Sequence, residues 1–168
     1  MAGVRSERKS GVKKWIIFLV IIILALLQVT FLDYFKVFGA KPDLLLISVV
    51  IVSFHLGFRR ALSSSILAGS LKDIFSANTF GLNILLFPIW SLLLIKLSKK
   101  VSIDSDSVRA ILIFFIAVFN NIIARMILLF LGNFIPFGVF LRVALFGSLY
   151  TACIFPLVSK FIKLAIQQ

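Results

Sequence analysis

The chain has 168 residues, 61% of them hydrophobic and only 14% charged, with a mean hydropathy of +1.15. A water-soluble domain of this length needs far more polar surface, so the composition excludes one and points to a single integral membrane domain. The net charge of +12 would suit nucleic-acid binding only if the basic residues formed one patch; spread over the ends of apolar runs, it is a topology signal instead.

Residues 1–14 carry Arg5, Arg8, Lys9, Lys13 and Lys14 against Glu7, and read as a mobile, basic cytoplasmic tail. The apolar run 15–32 is longer than the core of a signal peptide, and no small-x-small site follows it directly. It is read as an uncleaved first span, with Trp15 and Tyr34 as interfacial anchors. The connector 33–43 holds Gly39 and Pro42 and reads as an external loop. Pro42 suits the first turn of the next helix and Asp43 its positive end.

A short second span, 44–58, is closed by Arg59 and Arg60. The third, 61–77, is followed by a tight external turn over 78–81. The fourth, 82–97, contains Pro88, which predicts a kink. It ends in Lys96, Lys99 and Lys100. A polar loop follows, in which Asp106 or Ser107 can cap the next helix. The fifth span is 108–131 and the sixth 139–159, which carries Pro156. Residues 164–168 form a C-terminal tail, so the transmembrane domain is 15–163.

With this layout thirteen of the 18 basic residues lie inside: Arg5, Arg8, Lys9, Lys13, Lys14, Arg59, Arg60, Lys96, Lys99, Lys100, Arg109, Lys160 and Lys163. Six spans with both termini cytoplasmic is the consistent solution. The bilayer and its anionic headgroups are expected partners, and nucleic acid is not.

The stretch AGSLKDIFSANTFGLN, 68–83, places Lys72 and Asp73 inside the third span. A charge at the centre of a span costs about 2.5–3.5 kcal/mol on insertion scales. Ala61, Ser65, Gly69, Asp73 and Ala77 recur every four positions and share one helix face. Small residues at that spacing admit a close neighbour, so Asp73 is expected in a helix–helix contact. Lys72 is about 100° round the helix and does not face it; it is left to reach toward headgroups. Counting rises of about 1.5 Å per residue, Asn120, Asn121 and Arg125 of the fifth span bracket the level of Asp73. The leading expectation is a buried polar cluster of Asp73, Asn120, Asn121 and Arg125 joining spans three and five. The alternatives are that these residues line a water-filled or ligand cavity, or that Arg125 reaches outward. The lone cysteine, Cys153, is expected to be buried and inert. His55 reads as interfacial, with a proton-relay role as the alternative. No metal-ligand spacing, nucleophile–base pair or phosphate-binding glycine loop is legible, so neither a cofactor nor an enzyme activity is expected.

Pro42 and Asp43 opening a leucine-rich span, then Gly69, Asp73, Ser76, Gly81, Leu82 and Asn83, resemble the rod shape-determining protein MreD family. The resemblance is detailed over about a quarter of the chain, and Lys72 and the spans after residue 100 follow no family pattern. It implies a non-enzymatic component of the bacterial inner membrane serving lateral-wall peptidoglycan synthesis. The partner it implies is MreC, a single-span protein with an external domain, within an assembly of MreB, RodA and a class B penicillin-binding protein. It also implies a compact six-helix bundle similar to the substrate-binding subunits of energy-coupling factor vitamin transporters. A partner would be gripped within the bilayer, for example at the aromatic stretch 134–140.

Two other functions fit the sequence less well. A transporter subunit of that kind docks through an Ala-xxx-Ala pattern in its first span, whereas here Val29 stands four after Ala25. A CDP-alcohol transferase needs paired aspartates with a following glycine, which Asp104 and Asp106 lack.

Overall fold

The computed structural model describes residues 2–31, 34, 39–76, 81–100, 106–132 and 136–167. They form six helices: α1 (Ala2–Thr30), α2 (Leu44–His55), α3 (Phe58–Ile74), α4 (Leu82–Lys100), α5 (Asp106–Phe130) and α6 (Phe137–Gln167).

The organising element is α2. Its twelve residues, LLLISVVIVSFH, are apolar on every face, and ten of them, from Leu44 to Ser53, are buried. A helix without a polar face must be enclosed by protein or lipid, and here it touches each of the other five helices. Asp43 starts it: a side-chain oxygen accepts from the Leu46 N–H at 3.0 Å. Pro42 stands just before this cap, not in the first turn. Extended backbone at Leu56 and Gly57 ends α2, and α3 begins at once. The arginine pair therefore belongs to the first turn of α3, and the second span is shorter than expected because Gly57 breaks the helix. Two hairpins flank this axis, since the most extensive contacts join α3 to α4 and α5 to α6. α1 closes the bundle against α2, α3 and α6.

Among the described residues two helices are long and apolar enough to cross a membrane, over Val108–Phe130 and Phe137–Ile162. Trp15–Thr30, Leu44–His55 and Leu82–Ser98 are shorter apolar helices. At about 1.5 Å per residue, α2 extends roughly 18 Å, well short of a 30 Å hydrocarbon core. The outer surface is rich in large apolar side chains, among them Leu19, Ile23, Phe115, Phe119, Leu149 and Phe161. Trp15 and Tyr34 are both exposed. Cys153 also lies on the outer surface of α6; the expectation that it is buried fails because α6 turns much of its apolar length outward. Pro88 and Pro156 both lie inside helices. The basic N-terminal tail is helical and continues α1. Arginine, lysine and glutamate are good helix formers, and a helix already formed propagates at little cost. At the other end α6 runs through most of 164–168. The turn 78–81 (apart from Gly81), the loop before Asp106 and the capping side chains of Asp106 and Ser107 lie outside the described residues.

α3 runs against the usual pattern of a surface helix. Ala61, Ser64, Ser65, Ala68, Gly69 and Asp73 are buried, whereas Ile66, Ile74 and Phe75 are exposed. At Gly69 the backbone of α4 approaches so closely that a Cβ would stand 2.5 Å from the Asn83 carbonyl oxygen and 2.7 Å from Ile84 Cα. Both are backbone atoms and cannot swing aside. At Gly138 in α6 a Cβ would meet nothing within 4 Å. Gly69→Ala should therefore destabilise the protein by about 1–3 kcal/mol, while Gly138→Ala should be neutral or stabilise it by up to about 1 kcal/mol through helix propensity. Unfolding of the two variants in detergent micelles checks the contrast.

Candidate functional site

The contact that Gly69 permits brings Asp73 onto the start of α4. Asp73 is 3% exposed. Its Oδ1 accepts from the Asn83 backbone N–H at 3.0 Å and from Asn83 Nδ2 at 2.7 Å. Its Oδ2 accepts from the Ile84 N–H at 2.9 Å. These are among the backbone donors that the first turn of a helix leaves without partners. Gly81, just before α4, has φ +88, a left-handed conformation that glycine adopts freely, and has no side chain to offer as a cap. A residue of the preceding helix caps α4 in its place. The carboxylate gains charge-assisted bonds and the positive end of the α4 dipole, so burial of its charge is offset.

One position earlier, Lys72 turns the other way. Its ammonium pairs with Asp43 Oδ2 and lies 4.9 Å from the Phe87 ring centroid. Asp43 thus serves two elements, capping α2 with one oxygen and holding α3 with the other. Its backbone N–H donates to Thr151 Oγ1 of α6 at 3.0 Å, and that hydroxyl donates to the Gly147 carbonyl at 2.7 Å. Gln28 of α1 accepts the Leu45 N–H at 3.1 Å. The start of α2 is therefore tied to α1, α3 and α6 by polar contacts.

Beside these groups lies a cavity of about 330 Å³, whose wall includes Gln28, Lys41, Asp43, Lys72, Asn120, Asn121 and Thr151. A smaller one of about 170 Å³ shares Gln28, Lys41 and Lys72.

The expected cluster of Asp73, Asn120, Asn121 and Arg125 is not assembled. α3 and α5 share no packed interface. Asn120 Oδ1 instead accepts from Trp90 Nε1 at 3.1 Å, Asn121 Nδ2 donates to Ser148 Oγ at 3.3 Å, and the Arg125 guanidinium lies 5.7 Å from the Phe140 ring centroid. Height along parallel helices said nothing about which helices are neighbours, and α2 stands between these two. Asn120 and Asn121 line the cavity, while Asp73 and Arg125 do not. Sequence reasoning also missed Asp43 as the partner of Lys72, which does not reach for headgroups. The signal was there: an aspartate opening one helix and a lysine closing the next antiparallel one sit at the same end of a bundle. His55 Nδ1 is 2.9 Å from the Ile51 carbonyl, to which it donates at the end of α2. Among the described residues no group of three or more His, Cys, Asp or Glu could hold a metal.

Two outcomes are expected. Asp73→Ala removes the acceptor of three hydrogen bonds and should cost about 3–5 kcal/mol, with Asp73→Asn milder because one oxygen survives; thermal unfolding in micelles reads both. The swap Asp43→Lys with Lys72→Asp keeps an ion pair but puts a cation at the N-terminus of α2 and strands the Leu46 N–H. It should be less stable than Lys72→Met alone, the reverse of what a simple charge pair predicts.

No characterised protein and no solved structure was found to match the chain. The family described as rod shape-determining protein MreD matches residues 9–165. That range takes in both aspartates, both capped helix starts and the Gly69 contact, far more than the quarter of the chain that carries the resemblance by motif. The chain belongs to the MreD family of rod shape-determining membrane proteins.

Proposed function

We propose that the chain crosses the bacterial cytoplasmic membrane six times with both termini inside and acts as a non-enzymatic scaffold of the cell-elongation machinery. In this reading it binds MreC and, through it, works with MreB, RodA and a class B penicillin-binding protein in lateral peptidoglycan synthesis. The family match over residues 9–165 carries the proposal. The outward apolar faces of α1, α5 and α6 support a lipid setting, since contiguous exposed apolar surface of this extent needs an apolar partner. α2 is compatible with it despite its length, because protein encloses it. α3, which is less apolar than the other helices, is compatible because Ser64, Ser65 and Asp73 are buried. The bundle would be similar in fold to the substrate-binding subunits of energy-coupling factor transporters. Exposed aromatic surface at the start of α6, including Phe137, is a candidate contact for a partner helix; Phe134 lies outside the described residues.

Topology is checked in a Cys153→Ser background, which removes the one cysteine. A membrane-impermeant thiol reagent applied to intact spheroplasts should label Lys36→Cys and leave Asp104→Cys unmodified; the opposite pattern refutes the six-span arrangement. Affinity purification from the native membrane should bring down MreC in near-equal amount. Depletion of the chain should turn rods into spheres. Recovery without MreC, from cells shown to contain it, would remove the scaffold reading.

A further inference from the structure

Near the end of the bundle where α2 and α4 start, the helices turn their charges inward. Lys72 pairs with Asp43, Asp73 caps α4, and Arg125 is buried. Arg142, about one and a half turns into α6, is instead exposed. Among the described residues it has no hydrogen bond, ion pair or ring contact. Its companions on the helix are apolar or small. Gly138, Arg142, Leu145, Leu149 and Cys153 recur at spacings of three or four and so share one face; all are exposed. That face looks away from the bundle, and only 22% of the apolar span of α6 is buried. In the six-span arrangement proposed above it borders hydrocarbon, with Arg142 roughly 7 Å below the outer end of the helix.

A charge on a lipid-facing surface is costly, and charges within spans as a rule pair with one another. The bundle's own span aspartates are spoken for: Asp43 by the Leu46 N–H and Lys72, Asp73 by the start of α4. A second copy of the chain has the same two carboxylates, equally committed. One turn above Arg142, a Cβ on Gly138 would meet nothing within 4 Å, so the backbone of another helix can come close beside the guanidinium. A guanidinium takes a carboxylate through two parallel N–H···O bonds, and such a pair is stronger away from water. A phospholipid phosphate answers the charge but makes no use of the apolar stripe that runs on for three turns below it.

We infer that the outward face of α6 around Arg142 seats a transmembrane helix of another protein, one that carries an aspartate or glutamate in its outer third. This surface deepens the scaffold reading, on whose six spans it rests, and leaves the partner's name open.

The test is photocrosslinking in the native membrane, with p-benzoylphenylalanine in place of Leu149, which is on the same face and 52% exposed. Adducts are identified by mass spectrometry. The expected product joins α6 to a membrane span of a different protein with an acidic residue near its outer end. Arg142→Glu should lower its yield roughly tenfold or more by setting like charges together, Arg142→Leu should lower it too, and Arg142→Lys should retain most of it. Arg142→Leu adds no insertion cost and, since Arg142 holds nothing within the chain, should keep the wild-type Tm in micelles; it decides the matter should Arg142→Glu fail to insert. Arg142→Glu combined with arginine at the partner's acidic position should restore the adduct.

Adducts with phospholipid alone, with a second copy of this chain, or with a span lacking an acidic residue overturn the inference. So does a yield that Arg142→Leu leaves unchanged. The outcome is separable from the choice of MreC: an acidic span from another protein supports this surface while counting against MreC, whereas MreC recovered by affinity with only lipid adducts at α6 sinks the surface and spares the scaffold.

Discussion

The carboxylate of Asp73, set against the first turn of α4, is the contact on which the rest of the bundle turns. It can reach those N–H groups only because Gly69, one helical turn earlier, lets two backbones meet. It is stable there because three donors and a helix terminus face it. With the α3–α4 hairpin fixed, α3 can direct Lys72 to Asp43, and Asp43 can hold α2 at the centre. Local capping chemistry thereby sets long-range packing: the glycine, aspartate and Gly-Leu-Asn of the family motif form one clasp, not separate landmarks.

Much of this was legible in the residues, and the failures are instructive. A buried Asp73 on a face of small residues follows from the four-residue spacing, and an Asp43 cap follows from its place after Pro42. The neighbour of Asp73 did not follow. Depth along the chain places α5 level with Asp73, whereas the carboxylate's partners lie ten residues on, in Asn83, within the same hairpin. Short chain separation makes that pairing cheap in loop entropy, and the Gly81-Leu82-Asn83 run at the start of the next helix was the available clue. The cavity was among the alternatives for Asn120 and Asn121, but its other walls come from α1, α2, α3 and α6, and no single-segment pattern discloses a meeting of that many elements. The exposure of Cys153 had the same cause: apolar residues in a run look alike whether they face a neighbour or lipid.

Polarity in this molecule is arranged from the inside outward. Serines link α2 and α4 through a 2.8 Å contact between Ser53 and Ser91, and the amides of Gln28, Asn120 and Asn121 sit among helices, while isoleucine, leucine and phenylalanine occupy the perimeter. In a low-dielectric setting such interior contacts specify neighbours more sharply than apolar packing, because an unpartnered polar group is expensive and a leucine is content against any hydrocarbon. A family whose role is to maintain cell shape requires a body that keeps its own form under load, and side-chain bonds between helices provide that.

The separation of Asp73 from its clasp along the chain has a consequence for biosynthesis. A ribosome delivers α3 first, with a naked carboxylate and a row of serines, and only afterwards supplies Leu82 and the two residues whose amides neutralise it. α3 is therefore a poor candidate for release into lipid by itself. In the six-span arrangement proposed above, the two segments would leave the insertion machinery together, as a paired hairpin, and a nascent chain stalled between them would hold a half-finished helix at the protein-conducting channel.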